Sequence, residues 1–226
     1  GHDFPFEHSG YTPLHYLDRQ LAWRLREIDH AKDQVRLASA ERRQTIIRAS
    51  LPLVYAHWEG FVKSAAEAFL NFVAHQRHKY RELQPCFVAH GLTRHLEVLT
   101  TSKKHERLVS SVTFLISELD SRATIPWRGV VSTRGNLSSK VFENIAAALG
   151  LNTTTYATRY NLIDESLLKR RNCIAHGEHL DVDQAGFVDL SDQVLLLLSM
   201  FKTDIENCIA TKSYLALREV VHRRRS

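Results

Sequence analysis

Along most of the chain, apolar residues return every three or four positions with charged residues between them, the period of an amphipathic helix. From Pro13, Leu14, Leu17, Leu21, Leu25 and Ile28 keep that spacing, and proline suits a first helical turn. Residues 1–12 contain Pro5, Gly10 and two histidines without any period, and read as a flexible lead-in. A second helix is expected from about Ala40 to His78. Pro52 should kink or split it, because proline removes a backbone donor and clashes with the preceding turn. In it, Tyr55, Trp58, Phe61, Val62, Ala65 and Phe69 form a stripe wide enough for core or for an oligomer seam. Residues 86–98 and 103–121 predict two more helices. The second opens on Lys103, Lys104, His105 and Arg107, a basic patch that reads as a solvated helix start.

The period breaks over residues 122–137, where Pro126, Trp127, Gly129 and Gly135 fall. Arg122, Arg128 and Arg134 surround Trp127 there. Guanidinium and indole groups can grip phosphates and stack on bases, although a surface loop anchored by a buried Trp fits the same residues. Ser138 or Ser139 can cap a helix over Lys140 to Leu149, and Gly150 supplies its left-handed stop. After a link at 151–157, Tyr160 to Ala175 predicts one helix with Tyr160, Ile163, Leu167 and Ile174 on one side, ended by Gly177. Residues 178–185 read as a polar turn. The last long helix, about Gly186 to Tyr214, is apolar on most sides and therefore central. Arg223, Arg224 and Arg225 form a basic tail. The pattern as a whole predicts an all-α bundle of long antiparallel helices, with residues 13–226 as one domain.

Composition narrows the function classes. An apolar fraction of 44% can fill a core, and 9 glycines and 5 prolines in 226 residues leave long unbroken runs. A net charge of +5 permits nucleic-acid binding without requiring it. Cys86, Cys173 and Cys208 are scattered among apolar residues with no metal-ligand spacing, which points to buried thiols in a reducing cytoplasm. His75 and His78 are three apart, but no carboxylate or cysteine clusters beside them, so no metal is expected. The longest apolar block, Val194 to Leu198, is far too short to span a bilayer, and no secretory apolar region opens the chain. The first residues are Gly1-His2 rather than Met, as a tag remnant or a truncation would leave. Glycine-rich phosphate loops and nucleophile elbows are absent from the sequence.

The stretch that stands out chemically is Arg171-Asn172-Cys173-Ile174-Ala175-His176-Gly177. Asn172 and His176 are four apart and stack on one helix face, with Arg171 offset by one. His176 falls on the final turn, where an imidazole can exchange protons near neutral pH. Arginine presents a planar fork that suits phosphate oxygens, and asparagine can orient a hydroxyl or a water. Together they fit metal-free cleavage of RNA, in which the ribose 2′-OH attacks the adjacent phosphate. That step needs a base, an acid and a cation for the developing charge. One motif offers one strong proton-transfer group, so a two-fold dimer that brings two histidines to one phosphate answers the chemistry. The simpler reading of the same residues is structural: His176 as a helix C-cap, Arg171 paired with Asp164 or Glu178.

Arg171-Asn172-x-x-x-His176 resembles the Arg-Asn form of the Arg…His motif of HEPN domains. Gly135 to Ile145 and Arg170 to Glu178 resemble a bacterial branch of HEPN-like nucleases, and His57-Trp58-Glu59-Gly60-Phe61-Val62-Lys63 resembles its early helix. The resemblance covers roughly residues 40–215. It implies a homodimeric helical bundle and a metal-independent endoribonuclease without cofactor, often a toxin or antiviral effector. Arg171, Asn172 and His176 take the catalytic roles. Glu59 matches an acidic position seen near such sites, and Lys63 and Arg170 are added as supporting or substrate-binding residues. RNA, a second copy of the chain, and an antitoxin or defence-system component are the partners implied. Some HEPN toxins carry a Tyr two residues after the motif His that a partner nucleotidyltransferase modifies. Glu178 stands there in this chain, against silencing by that route. Other HEPN domains only bind nucleotides or regulatory partners, which is the alternative reading.

Overall fold

The computed structural model describes residues 12–133 and 135–216, apart from the Arg94 side chain. Most of the expected lead-in, Arg134 and the expected basic tail therefore lie outside the described residues. Thr12 does not belong to a lead-in: its hydroxyl accepts the His15 N–H at 3.3 Å and caps α1, Pro13–Leu37. Ala38 and Ser39 turn the chain back into α2, Ala40–His75. The remaining helices are α3 (Pro85–Thr101), α4 (His105–Glu118), α5 (Ser139–Ala148), α6 (Arg170–Ala175) and α7 (Gln184–Thr211). Short 3-10 segments occupy Tyr80–Glu82 and Thr154–Arg159. Among the described residues there is no strand, only isolated bridges between Lys79 and Arg122 and between Leu83 and Leu215.

Helices α1, α2 and α7 pack on one another and supply most of the core. Leu17, Ile28 and Val35 from α1 meet Trp58, Phe61, Val62 and Phe69 from α2 and Phe187, Val194 and Phe201 from α7. Two ion pairs set the direction of α7. Lys32, late in α1, meets Asp192, early in α7, at 2.6 Å, while Asp18, early in α1, meets Lys202, late in α7, at 2.8 Å. The two helices therefore run antiparallel. The stripe on α2 is core, as Tyr55, Trp58, Phe61, Val62, Ala65 and Phe69 are all buried. Helices α3 and α4 pair with each other, and α3 also reaches α5.

Other expectations are corrected as well. Pro52 does not split α2, which runs unbroken from Ala40 to His75. Burial of Leu51, Val54 and Tyr55 on either side of it holds that turn in the bundle against the lost backbone bond. The helix ends at His75 rather than His78, because Arg77 takes a left-handed conformation with φ 59°. The helix expected from Tyr160 to Ala175 is not α-helical throughout: a π-helix occupies Leu162–Lys169, and α6 follows it over Arg170–Ala175. Its apolar side survives, with Ile163 and Leu167 fully buried and Tyr160 and Ile174 packed against the core. Asp164 in the π stretch accepts both the Ser139 N–H, at 2.7 Å, and the Ser139 hydroxyl, at 2.6 Å. Ser138, not Ser139, is thus the cap of α5, with its hydroxyl on the Val141 N–H at 3.3 Å. The three thiols are half-buried rather than enclosed.

Candidate functional site

Helix α6 carries Arg171 and Asn172 and stops at His176 for a local reason. Gly177 adopts φ 75°, a left-handed conformation that lacks the steric cost a Cβ would bring. Its N–H reaches the Ile174 carbonyl at 3.1 Å, and the Glu178 N–H reaches the Cys173 carbonyl at 2.9 Å. These two bonds are the paired closure of a Schellman stop. His176 is the residue just before the turn, with its N–H on the Asn172 carbonyl at 3.0 Å and its side chain exposed. The turn beyond is tied back to α2: Arg48 Nη1 donates to the Glu178 carbonyl at 2.9 Å, and the Gln44 amide donates to Asp181.

Arg171 pairs with neither Asp164 nor Glu178. Asp164 is committed to Ser139, and Glu178 bonds the Cys173 thiol and holds it above its ordinary pKa. The Arg171 guanidinium instead lies over the Tyr55 ring, its Cζ 4.2 Å from the centroid. Its Nη2 donates to the Gly135 carbonyl and, at 3.2 Å, to the Asn136 side-chain oxygen. Nε is buried without a hydrogen-bond partner. Tyr55 joins these pieces. Its hydroxyl accepts the Leu137 N–H at 2.6 Å and donates to the Gly135 carbonyl at 3.5 Å. Burial, outweighing the Leu137 N–H and Arg171, pushes its phenol above the ordinary value, so Tyr55 remains a neutral donor.

One turn along α2, Glu59 is half-buried and accepts the Thr133 hydroxyl. Its charge also acts on Tyr55. The structure thus brings Glu59, Arg171, Thr133 and residues 135–137 to one neighbourhood around Tyr55. Glu59 makes no ion pair with Lys63 among the described residues, and Lys63 is exposed on the next turn. Arg170 is half-buried beside Arg171, and Asn172 is half-buried one turn before His176. Sequence inspection placed Tyr55 in the core stripe and missed its polar end. A tyrosine in an otherwise apolar stripe, whose hydroxyl must find a partner when buried, was the available signal.

The irregular loop keeps part of its expected chemistry. Arg128 stacks on Trp127 with Cζ 4.5 Å from the ring centroid, and Trp127 packs against the core. Arg122 is exposed, and its backbone forms an isolated bridge with Lys79. His75 Nδ1 meets the Asn71 carbonyl at 2.8 Å, while His78 faces Glu82 at 3.5 Å. No group of three or more His, Cys, Asp or Glu side chains among the described residues is gathered to hold a metal ion. Within the same residues no helix is long and apolar enough to cross a membrane.

No curated protein and no solved structure matches this chain. A family profile described as HEPN_MAE_28990-like HEPN does match, over residues 13–214, and that span takes in α1, the Tyr55–Arg171 contact and all of α7. This all-α chain therefore belongs to the HEPN_MAE_28990-like HEPN family.

Proposed function

We propose that the chain is an endoribonuclease that cleaves RNA by attack of the ribose 2′-OH on the adjacent phosphate, without a metal ion. The observation that carries this reading is the exposed His176 side chain, set at a glycine stop one turn after Asn172 and five residues after Arg171. His176 is the proton-transfer group, and Asn172 orients the attacking hydroxyl or the phosphate. Arg171 offers its remaining N–H donors to the phosphate oxygens as charge builds. Glu59, Lys63 and Arg170 support the site or the RNA strand. Because each chain holds one motif histidine, the active unit is a symmetric homodimer with a shared site. We further read residues 13–226 as one domain, acting in the cytoplasm as a toxin or antiviral effector under an antitoxin or defence partner.

One observation favours a second reading, a non-catalytic HEPN module that binds nucleotides or a regulatory partner. Arg171 is already engaged by Gly135, Asn136 and Tyr55, as a purely positioning residue would be. Incubating the purified chain with single-stranded RNA in EDTA separates the two. The ribonuclease reading expects cleavage of RNA but not DNA, with 2′,3′-cyclic phosphate or 3′-phosphate ends. Cleavage that needs added Mg²⁺ and leaves 3′-OH ends overturns the mechanism, and binding without cleavage selects the second reading.

A further inference from the structure

A cavity of about 370 Å³ opens between α3, α5 and the irregular loop that leads into the Arg171 contact. That size lies within the range of small-ligand sites. Val131, Ile145 and Leu149 give it an apolar floor, and His90, Ser132 and Asn144 supply polar groups. His90 Nε2 lies 3.0 Å from the Ala148 carbonyl, which can only accept, so this nitrogen carries the proton. In the neutral ring Nδ1 is then an acceptor. Ser132 and Asn144 are exposed, and neither side chain makes a hydrogen bond to another described residue. The cavity therefore combines an apolar slot with an exposed hydroxyl, an exposed carboxamide and an imidazole in its lining.

Its place in the chain connects it to the candidate site. Ser132 lines the cavity, Thr133 donates to Glu59, and Gly135 accepts from Arg171. Three residue steps of backbone span at most roughly 11 Å, so Ser132 and Gly135 cannot be farther apart than that. On the other side of the loop, Leu137 is bonded to Tyr55 and leads directly into α5, which provides Asn144 and Ile145.

We infer that this cavity takes an unpaired nucleobase of the RNA, next to the phosphate that Arg171 and His176 address. The inference rests on the ribonuclease reading for its substrate class. A base has two flat apolar faces that suit the floor. Its edge carries donors and acceptors that the Asn144 amide can meet in pairs, with Ser132 and His90 completing the rim. Duplex RNA does not present a base in this way, so single-stranded segments are the substrate. Whichever base the rim fits best then marks one side of the cleaved bond.

The test uses the four uncharged ribonucleosides, which carry no phosphate for Arg171 to hold. Each is titrated into the full chain while the backbone amide signals of residues 90, 132 and 144 are followed by NMR. At least one nucleoside is expected to bind saturably and shift those signals. Asn144→Ala should weaken it roughly tenfold, about the loss of one well-made hydrogen-bonded contact. Asn144→Trp, at an exposed position and therefore compatible with folding, should fill the mouth and abolish binding. His176→Ala should leave nucleoside binding intact. Absence of saturable binding by every nucleoside overturns the inference, as does undiminished binding by folded Asn144→Trp. Nucleoside binding by a protein that never cleaves RNA supports the pocket and removes the ribonuclease reading instead.

Discussion

The Arg171 guanidinium rests 4.2 Å above the Tyr55 ring, and Tyr55 in turn holds the Leu137 N–H at 2.6 Å. A residue of the motif helix and a residue of the central helix thus grip the same short loop, one by its carbonyl and side chain and the other by its amide. The aromatic face stabilises the cation, and the shared loop limits where the guanidinium can point.

Tyr55→Phe keeps the ring beneath Arg171 but leaves the buried Leu137 N–H without its acceptor. The expected cost is about 1–3 kcal/mol, the usual penalty for an orphaned buried donor. Tyr55→Leu should cost more and should also lower RNA cleavage, because the platform under Arg171 goes as well. Urea unfolding measures the first effect. If the Phe variant unfolds at the wild-type midpoint, the hydroxyl contributes nothing to the loop.

His176→Ala should leave folding intact, since the side chain is exposed and its backbone bond to Asn172 does not depend on the ring. Cleavage should fall on the order of 10²–10⁴-fold, the usual contribution of acid–base catalysis. Mixing excess variant with wild type and allowing exchange should depress activity beyond dilution if two chains share one site. Full specific activity in an isolated monomer fraction would refute the shared site.

Gly177→Ala isolates the cost of the helix stop. A Cβ at this position meets nothing within 4 Å, so the penalty is backbone strain alone at φ 75°. The variant should lose about 1 kcal/mol of stability. Gly177→Asn should lose less, because asparagine tolerates the left-handed region. Thermal unfolding of both variants checks the order. A shifted His176 NMR signal in the Ala variant would show that the stop also sets the imidazole's position.

Stability should decline on mild acidification, with His57 as one contributor. This residue is buried between α1 and α2, and burial, aided by Arg24, lowers its pKa even though Glu27 approaches to 2.8 Å. Glu27 acts in the opposite direction through its charge, and burial outweighs it. The unfolded chain protonates His57 near about pH 6.5, whereas the folded chain resists until lower pH. Between those values the unfolded state binds the extra proton, so its stability relative to the fold rises as pH falls. Unfolding midpoints measured from pH 7.5 to 5 should drop, and His57→Gln should flatten that slope. An unchanged slope in His57→Gln would assign the acid sensitivity elsewhere.

Much of the fold was legible in the sequence because its signals act over three or four residues. Pro13 marks the start of α1, Ser138 or Ser139 the start of α5, and Gly150 and Gly177 the helix stops. The apolar stripes of α2 and α7 identify the core for the same reason, since helical period and burial are local properties of the pattern. The Arg171–Asn172–His176 constellation was equally visible as spacing. Only the tertiary structure decided what those residues touch. Arg171 had plausible acidic partners nearby, yet its partners come from Tyr55 and from residues 135 and 136, far away along the chain. Glu59 could have taken Lys63 one turn away and instead takes Thr133. The π stretch and the unbroken passage through Pro52 belong to the same class. In each case the local preference is worth about a kilocalorie or less, or a few at Pro52, and packing between distant segments outweighs it.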